Sequence, residues 1–208
     1  MRVFKKIMSW VFPIVVAVAL VLAAKAFIAE PMRVSGPSMS PNLINDERMI
    51  VFKCLEPKRG SVITFQAKGV DPAAYKQTIY VKRVIGLPGD AVESKKGQIY
   101  VNGKIINQSY ISASQRTKGT GSWTFSSLAK KHVWLKYQRA AKVPDNCYFV
   151  LGDNRSVSED SRIFGFVPKS SVIGVAKVSM VSGKNASRRR LINSEWRYFF
   201  AKVEKTEK

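Results

Sequence analysis

The feature that most constrains this chain is an apolar segment close to its N-terminus. Ile7 to Ala24 are 18 consecutive uncharged residues, and apart from Lys25 the apolar run continues to Ala29. As a helix that rises about 1.5 Å per residue, the segment would be about 27–34 Å long, enough to cross the hydrocarbon core of a membrane. Pro13 lies in the first turns, where the loss of one backbone hydrogen bond is tolerated. The sequence therefore predicts a transmembrane anchor over residues 7–29.

A cleavable signal peptide is the competing interpretation of the same segment. Arg2, Lys5 and Lys6 form a positive N-terminal stretch, and Ala24-Lys25-Ala26 resembles a cleavage site. Signal peptides have apolar cores of about 7–15 residues, shorter than this one, so we favour a retained anchor. The basic residues of segment 1–6 are expected to stay in the cytoplasm. This orientation predicts a single-pass protein of the cell membrane whose main domain is extracytoplasmic.

The net charge of +21 over 208 residues restricts the partners of the chain. Such an excess of positive charge favours anionic partners, either nucleic acid or a negatively charged membrane surface. The sequence has neither zinc-finger spacing nor an aromatic RNA-binding signature. We therefore expect contact with membrane lipids and no binding of nucleic acid.

The cysteine and histidine content limits disulfide and metal chemistry. Cys54 and Cys147 lie far apart in the sequence, and they are either two small buried apolar residues or one bridge. With His132 as the single histidine, the chain cannot supply a four-ligand structural zinc site. The prediction is that the protein uses no metal and no cofactor.

Strand-like runs dominate the sequence after the apolar segment. They are short, rich in β-branched and aromatic residues, and bounded by Gly, Pro or charged residues. The Asn102-Gly103 pair suits a type I′ turn, and Gly86 to Asp90 reads as a second turn. The fold class is predicted to be mainly β, a folded antiparallel sheet or barrel-like domain over residues 30–182. The predicted strands are Met49–Phe52, Val62–Phe65, Tyr80–Ile85, Gln98–Val101, Lys104–Ile106, Cys147–Leu151 and Val172–Val181.

Two further segments lack a clear strand pattern. Residues 108–143 are polar, rich in Lys and Ser, and interpreted as a variable, partly mobile insertion at the edge of the core. Residues 183–208 combine Arg188-Arg189-Arg190 with Trp196 and nearby aromatic residues. This tail is either a solvated basic segment or an interfacial one whose aromatic side chains enter the headgroup layer.

Ser38 is a candidate nucleophile because it lies in a segment with restricted backbone freedom. It stands in Gly36-Pro37-Ser38-Met39-Ser40-Pro41, where the prolines fix φ and the glycine permits close backbone approach. A serine attacks a carbonyl efficiently only when a neighbouring base removes its proton. This motif alone is weak evidence, because loops rich in Gly, Pro and Ser are common.

Lys82 is a candidate for that base because it lies inside the apolar run Tyr80–Ile85. Alternation along a strand places Lys82 on one face and Arg83 on the other, so at least one of the two cations is expected to be buried. An ordinary lysine has a pKa of about 10.4, but burial in an apolar site lowers the pKa by up to about 3–5. The alternative is a lysine at the rim of the sheet with no chemical role.

A third candidate segment, Leu151 to Arg162, follows a predicted strand with acids, arginines and hydroxyls. Such a composition is typical of a loop that bears function. The alternative is a solvated surface loop whose charges pair with one another.

Taken together, these segments resemble those of bacterial type I signal peptidases, in particular the Gram-positive branch with one anchor. The match runs in the family's order through Ser35–Leu43, Arg59–Phe65, Tyr80–Asp90 and Gly152–Pro168. The resemblance implies Ser38 as nucleophile, Lys82 as general base and Ser158 as the hydroxyl that orients the lysine. It also implies supporting residues and substrate-binding residues. The supporting residues include the ion pairs Arg83–Asp153 and Asp160–Arg162, together with Arg155; the substrate-binding residues are Met32, Val34, Met39, Leu43, Tyr80 and Val81.

Two positions depart from the family pattern. Gly36 stands where some members carry a serine that donates to the oxyanion, so only the Ser38 N–H is an expected donor. Ser156 and Val157 replace an Asp-Asn pair that is common after Asn154-Arg155. The hydrogen bonding of that loop is therefore an open question for the structure.

The resemblance implies a membrane-bound serine endopeptidase with a Ser/Lys dyad. Its expected substrates are preproteins, cleaved after small residues at the first and third positions before the scissile bond, near the protein translocation machinery. Two rival functions are a serine/lysine hydrolase that cuts itself or one dedicated substrate, and a tethered scaffold that kept the fold without activity.

Overall fold

The computed structural model describes residues 2–75, 77–132, 134, 136–178 and 186–200. Helix α1 spans Arg2–Phe27, and its part from Met8 to Phe27 has a mean hydropathy of 2.3, long and apolar enough to cross a membrane. Its described side chains project away from the rest of the chain, as expected of an anchor. The helix ends at Phe27, and Ala29 already belongs to a strand. The helix therefore stops two residues before the predicted end of the apolar segment.

A seven-stranded antiparallel sheet forms the larger part of the domain. In spatial order it runs β1-β2-β11-β3-β4-β9-β10, so the chain crosses over several times and brings distant segments side by side. The predicted strands are confirmed where they fall on described residues, whereas β1 and β10 were not expected. The strands are β1 Ala29–Arg33, β2 Arg48–Phe52, β3 Val62–Gln66, β4 Ile79–Gly86, β9 Cys147–Leu151, β10 Val167–Pro168 and β11 Val172–Val178.

A smaller antiparallel sheet has the order β7-β6-β5-β8. Its strands are β5 Val92–Lys95, β6 Gln98–Val101, β7 Lys104–Ile105 and β8 Trp123–Thr124. Asn102 and Gly103 join β6 to β7 with φ values of 52° and 75°, which confirms the predicted type I′ turn. The two sheets confirm the mainly β fold class.

The segment 108–143 is more deeply integrated than its composition indicated. It contains β8 and helix α2, Phe125–His132, and it contributes Trp123, Phe125 and Trp134 to a core cluster with Phe149 and Phe166. Trp134 is only 1% exposed. The interpretation of the whole segment as an addition at the edge of the core is therefore wrong, because its aromatic side chains fill the space over the smaller sheet.

The C-terminal segment is also packed onto the domain. Helix α4, Ala186–Asn193, lies against β11, where Ile192 is buried and Asn193 exchanges hydrogen bonds with Val178. Phe199 is buried in the core, and Phe200 forms a β-bridge with Ile106. The interpretation as a solvated tail is thus wrong for residues 186–200. Outside the described residues lie the rest of the predicted tail, 183–185 and 201–208, and residues 179–181 of the predicted last strand.

Both cysteines are free, Cys54 exposed and Cys147 buried. The alternative of a bridge is therefore wrong, and so is burial of Cys54. Cys147 alone behaves as a small core residue.

Candidate active site

The turn that carries Ser38 connects β1 to β2. Gly36 has φ of 86°, a conformation that favours glycine, and its N–H donates to Asn45 Oδ1 at 2.9 Å. The glycine has open space on its Cβ side, so backbone geometry and not close approach explains its presence. The turn is closed by a hydrogen bond from Ser40 N to Pro37 O at 3.0 Å. Ser38 is held half-buried between these bonds.

Strand β4 brings Lys82 to the Ser38 hydroxyl. The ladder with β3 pairs Lys82 with Ile63, and the lysine is only 3% exposed. Lys82 Nζ lies 3.0 Å from Ser38 Oγ and donates to it in this structure. Burial is the largest influence on the amine and lowers the pKa of Lys82 from 10.5 to about 8, although Asp160, Glu159 and Asp71 act in the opposite direction. A rim position for Lys82 is therefore wrong.

Arg83 points to the opposite face of β4, and it is buried as completely as Lys82. Its Nε and Nη2 form two hydrogen bonds to Asp153, at 2.7 and 2.6 Å, and both side chains are 0% exposed. Its Nη1 donates to the carbonyls of Gly60 and Leu191. The predicted Arg83–Asp153 ion pair is confirmed, and both adjacent cations of the strand are buried because each has found partners on its own side.

The second predicted ion pair, Asp160–Arg162, is also confirmed. Arg162 Nε and Nη2 contact the Asp160 carboxylate at 2.8 and 2.9 Å. Asp160 also accepts from Gly152 N and from Arg162 N, which caps the short helix α3, Ser161–Phe164. Burial acts to raise the pKa of Asp160, but the charge and hydrogen bonds of Arg162 outweigh it and the pKa is lowered. These two charges of the loop therefore pair with each other, as the alternative held, but the carboxylate is buried, so a solvated surface loop is wrong.

Asn154 ties this loop to the turn of Ser38, a role that was not predicted. Asn154 N donates to Ser38 O at 3.0 Å, and its side-chain amide donates to Pro37 O at 3.2 Å. Gln115 completes the connection, because its amide donates to Asn154 Oδ1 while its Oε1 accepts from the N–H and hydroxyl of Ser156. Gln115, from the segment interpreted as an insertion, thus supplies the hydrogen-bond partner of Ser156 that the departure from the family pattern left open.

Ser158 is buried close to Ser38, but its hydroxyl makes no hydrogen bond to Lys82 in this structure. Among the described residues, Ser158 Oγ has no partner. A Cβ at Gly152 would clash with both Ser158 Oγ and Ser38 O, so a glycine there lets the two serine segments approach each other. The orienting role of Ser158 stays a prediction.

Arg155 organises a network that the sequence did not reveal. Its guanidinium is buried and donates to Gly152 O, Gln108 Oε1, Thr120 Oγ1 and the Tyr110 hydroxyl. Burial lowers the pKa of Arg155. Three of these partners come from segment 108–143, so the local composition gave no signal for them.

Asn42 and Asp71 are two further unpredicted contributors. Asn42 donates to Asp153 Oδ2 and Tyr110 O, which completes the surroundings of the buried carboxylate. Asp71 accepts a 2.8 Å hydrogen bond from the Tyr80 hydroxyl. Asp71 thereby fixes the Tyr80 side chain, whose ring centroid is 4.9 Å from Lys82 Nζ.

The predicted substrate-binding residues fall into two groups by exposure. Val34, Met39 and Leu43 are fully buried in the core cluster over β2 and β11, whereas Met32 and Val81 are partly exposed members of its margin. Tyr80 is partly exposed at the margin of a neighbouring cluster. The partly exposed residues can contact a ligand directly, and the buried ones support them.

The described residues contain no group of three or more His, Cys, Asp and Glu side chains arranged to hold a metal ion. What the site offers is a serine hydroxyl beside an amine that is substantially neutral near pH 8. Such an amine can accept the proton of the hydroxyl, which is the requirement for a serine nucleophile.

The chain thus combines an antiparallel β domain, one apolar helix long enough to cross a membrane, and a serine hydroxyl beside a buried lysine, the arrangement of a serine hydrolase that uses lysine as its base. The profile described as "Signal peptidase, peptidase S26" matches residues 7–181. The chain therefore belongs to the signal peptidase family, which confirms the resemblance.

Curated relatives agree with this family, and a solved structure is similar in sequence. Signal peptidase I S of Bacillus subtilis (strain 168) is 40% identical over 179 residues, covering 83% of this chain and 88% of the relative. Signal peptidase IB of Staphylococcus aureus (strain COL) is 35% identical over 174 residues, covering 82% and 87%. A crystal structure of a signal peptidase I from Enterococcus faecalis V583 is 34% identical, with a TM-score of 0.48, covering 58% of this chain and 97% of that one.

Proposed function

We propose that this protein is a membrane-bound serine endopeptidase that removes N-terminal signal peptides from exported preproteins, with Ser38 as nucleophile and Lys82 as general base. The observation that carries the proposal is the 3.0 Å contact between Ser38 Oγ and a buried lysine whose pKa is lowered to about 8. At pH 8 about half of such lysines are neutral, whereas an amine with a pKa near 10.4 is neutral in well under one molecule in a hundred.

The reaction proceeds through an acyl-enzyme. Neutral Lys82 takes the proton as Ser38 Oγ attacks the scissile carbonyl, and it then passes that proton to the leaving amine. A water molecule follows the same route to release the signal peptide. The Ser38 N–H stabilises the oxyanion, while the N–H of Gly36 is already bonded to Asn45. The Asn154 contacts to Pro37 and Ser38 hold the nucleophile in its turn.

Recognition of the preprotein rests on small apolar pockets beside the dyad. Met32, Tyr80 and Val81, which are partly exposed, are the side chains available to contact the residues before the scissile bond, and the buried Val34, Met39 and Leu43 belong to the core beside them. Shallow pockets accept small side chains at the first and third positions and reject larger ones.

We expect the apolar helix to hold the reaction at the outer face of the cell membrane. The N-terminal basic residues remain in the cytoplasm, and the domain rests among lipid headgroups near the translocation machinery. Exported preproteins emerge there with the signal peptide still in the bilayer, so enzyme and substrate share one surface.

The experiment that tests the proposal is cleavage of a model preprotein in detergent at pH values from 6 to 10. Ser38→Ala and Lys82→Ala should both lose activity, and Lys104→Ala, which removes an exposed lysine from β7, is the matched control. The activity of the wild type should rise with pH to a plateau, with a midpoint near 8. Full activity in Lys82→Ala would exclude the dyad.

A labelling experiment separates the enzyme from the scaffold alternative. A penem-type inhibitor should acylate Ser38 in the wild type and leave Ser38→Ala unmodified. An unlabelled wild type that also cleaves no preprotein would favour the scaffold.

A further inference from the structure

A basic cavity lies next to the proposed active site. Its volume is about 510 Å³, and it is an open cleft lined by the segment 118–123, helix α2, the loop after β9 and helix α3. None of the residues proposed to bind the positions before the scissile bond lines this cavity. Five basic side chains line it, and no acidic side chain does: Lys118, Lys131, His132, Arg155 and Arg162.

These basic side chains are only partly neutralised by the protein. Arg162 is paired with Asp160, whereas Arg155 forms hydrogen bonds to neutral oxygens and has no ion pair among the described residues. Lys118 and Lys131 are exposed at the mouth of the cavity. A concave site lined by one sign of charge concentrates ligands of the opposite sign, so the cavity is suited to a carboxylate or another anion.

The cavity adjoins the turn of the proposed nucleophile at Ser158. This residue lines the cavity, and its buried hydroxyl has no hydrogen-bond partner in the described part of the chain. Gly152 packs directly between Ser158 Oγ and Ser38 O. Gly152 is therefore the one residue that separates Ser158, in the wall of the cavity, from the backbone of Ser38.

The position of the cavity in the sheet argues against a lipid headgroup as its occupant. Helix α1 runs directly into β1, whereas the cavity lies beyond β9, which is five strands away in the order of the large sheet. The same cavity adjoins the turn of Ser38 at Ser158 and Gly152. A ligand that arrives with a peptide bound at Ser38 therefore fits this position better than one fixed in the bilayer.

We infer that this cavity binds acidic side chains of the substrate segment that follows the scissile bond, so the enzyme prefers preproteins whose mature part begins with Asp or Glu. The inference rests on the proposed function. The side chains proposed to contact the residues before the scissile bond belong to β1, β4 and the Ser38 turn, and none of them lines the cavity. A peptide bound in that direction would leave the cavity, on the side of Ser158, to the residues after the bond.

His132 can report whether the cavity is occupied, because it lines the cavity and is the only histidine in the sequence. Burial and the charges of Lys131, on the same helix, and Arg162, on α3, lower the pKa of His132. An anion bound between these groups would offset the positive charges. The pKa of His132 should therefore rise when the cavity is occupied.

The test uses the full chain in detergent and two series of peptides with the same Ala-x-Ala sequence before the scissile bond. One series carries Asp or Glu at successive positions after the bond, and the other carries Asn or Gln. The wild type should show kcat/KM about threefold higher for the acidic peptide at the best position, a preference that declines with salt. Lys131→Glu should abolish or reverse the ratio of acidic to neutral kcat/KM.

The neighbouring residue provides the matched control. Lys130 has the same charge on the same helix but lines a different cavity, so Lys130→Glu should keep the acidic preference. Equal kcat/KM for acidic and neutral peptides in the wild type would overturn the inference. Cleavage of the neutral peptides by the wild type, and its loss in Ser38→Ala, tests the proposed function by itself. If neutral peptides are cleaved without a preference for acidic ones, only this inference fails; if neither series is cleaved, the proposed function fails.

The pKa of His132, measured by NMR, distinguishes an acidic peptide from the other anions that could occupy the cavity. The acidic cleavage product should raise the pKa of His132, and its amide counterpart should not. A shift produced by phosphatidylglycerol vesicles or inorganic phosphate, and not by the acidic product, would overturn the inference in favour of a phosphate site.

Discussion

Replacement of Lys82 by methionine should stabilise the folded protein at neutral pH. Lys82 is 3% exposed, so its charged form is held in a site that has lost nearly all contact with water. Each tenfold change in proton affinity corresponds to about 1.4 kcal/mol, so a pKa lowered from 10.5 to about 8 corresponds to a cost on the order of 3 kcal/mol. Methionine has a similar shape and no charge, and Lys82→Met removes this cost.

The pH dependence of that gain follows from proton binding in the two states. Between pH 8 and 10.5 the unfolded chain holds a proton on Lys82 that the folded chain has released, so the stability of the wild type increases with pH across this window. Below pH 8 both states are protonated and the full cost is present. The advantage of Lys82→Met should therefore be largest at pH 7 and shrink by roughly 2 kcal/mol by pH 10.

Urea unfolding of the full chain in detergent, followed by tryptophan fluorescence at pH 7, 8.5 and 10, measures the free energies of unfolding. The pH-dependent part of the difference between Lys82→Met and wild type is the relevant quantity, because packing changes contribute equally at each pH. Lys104→Met, at an exposed position, serves as control and should show no comparable trend. A difference between Lys82→Met and wild type that is the same at pH 7 and 10 would refute the reasoning.

Three further changes test the structure around the site. Asp153→Ala should lower the free energy of unfolding by about 3–5 kcal/mol in urea titrations, because it leaves Arg83 buried without its carboxylate; a loss below 1 kcal/mol would contradict full burial of the pair. Gln115→Ala should reduce kcat about tenfold in the preprotein assay, with little change in KM. The variant removes the hydrogen bond that holds Asn154 against the Ser38 turn, and a tenfold loss corresponds to about 1.4 kcal/mol in the activation free energy. Gln138→Ala, which removes a glutamine far from that turn in sequence, is the control. Trp134→Ala should lower the free energy of unfolding by about 3–5 kcal/mol in the same urea titration, because it empties a buried site. An unchanged midpoint would show that segment 108–143 lies at the edge of the core after all.

Local sequence signals predicted the elements whose geometry depends on near neighbours. Val62–Phe65 and Tyr80–Ile85 are rich in β-branched and aromatic residues, and both are strands. The Asn102-Gly103 turn depends on two residues that tolerate positive φ, so it could be assigned without any knowledge of the remaining chain. Strand β1, whose sequence is Ala-Glu-Pro-Met-Arg, has no such signal and exists because β2 supplies its hydrogen bonds.

The candidate site shows the same division between local and distant causes. The apolar setting of Lys82 indicated a buried amine from the sequence alone, and the family resemblance paired it with Ser38. The contacts of Gln115 with Asn154 and Ser156 could not be predicted, because they join segments about 40 residues apart through side chains with no local pattern.

By itself, the sequence determined the apolar helix and the mainly β class, because hydrophobic runs, strand propensity and turn residues act over a few positions. The serine and the lysine were singled out as a pair by the family resemblance. Only the tertiary structure decided that Arg83 and Lys82 are both buried, that segment 108–143 fills a core, and that the C-terminal segment packs against β11. These outcomes depend on which distant side chains meet. A buried charge is stable only when a partner from elsewhere reaches it, and an aromatic residue in a polar segment is buried only where the fold leaves space for it.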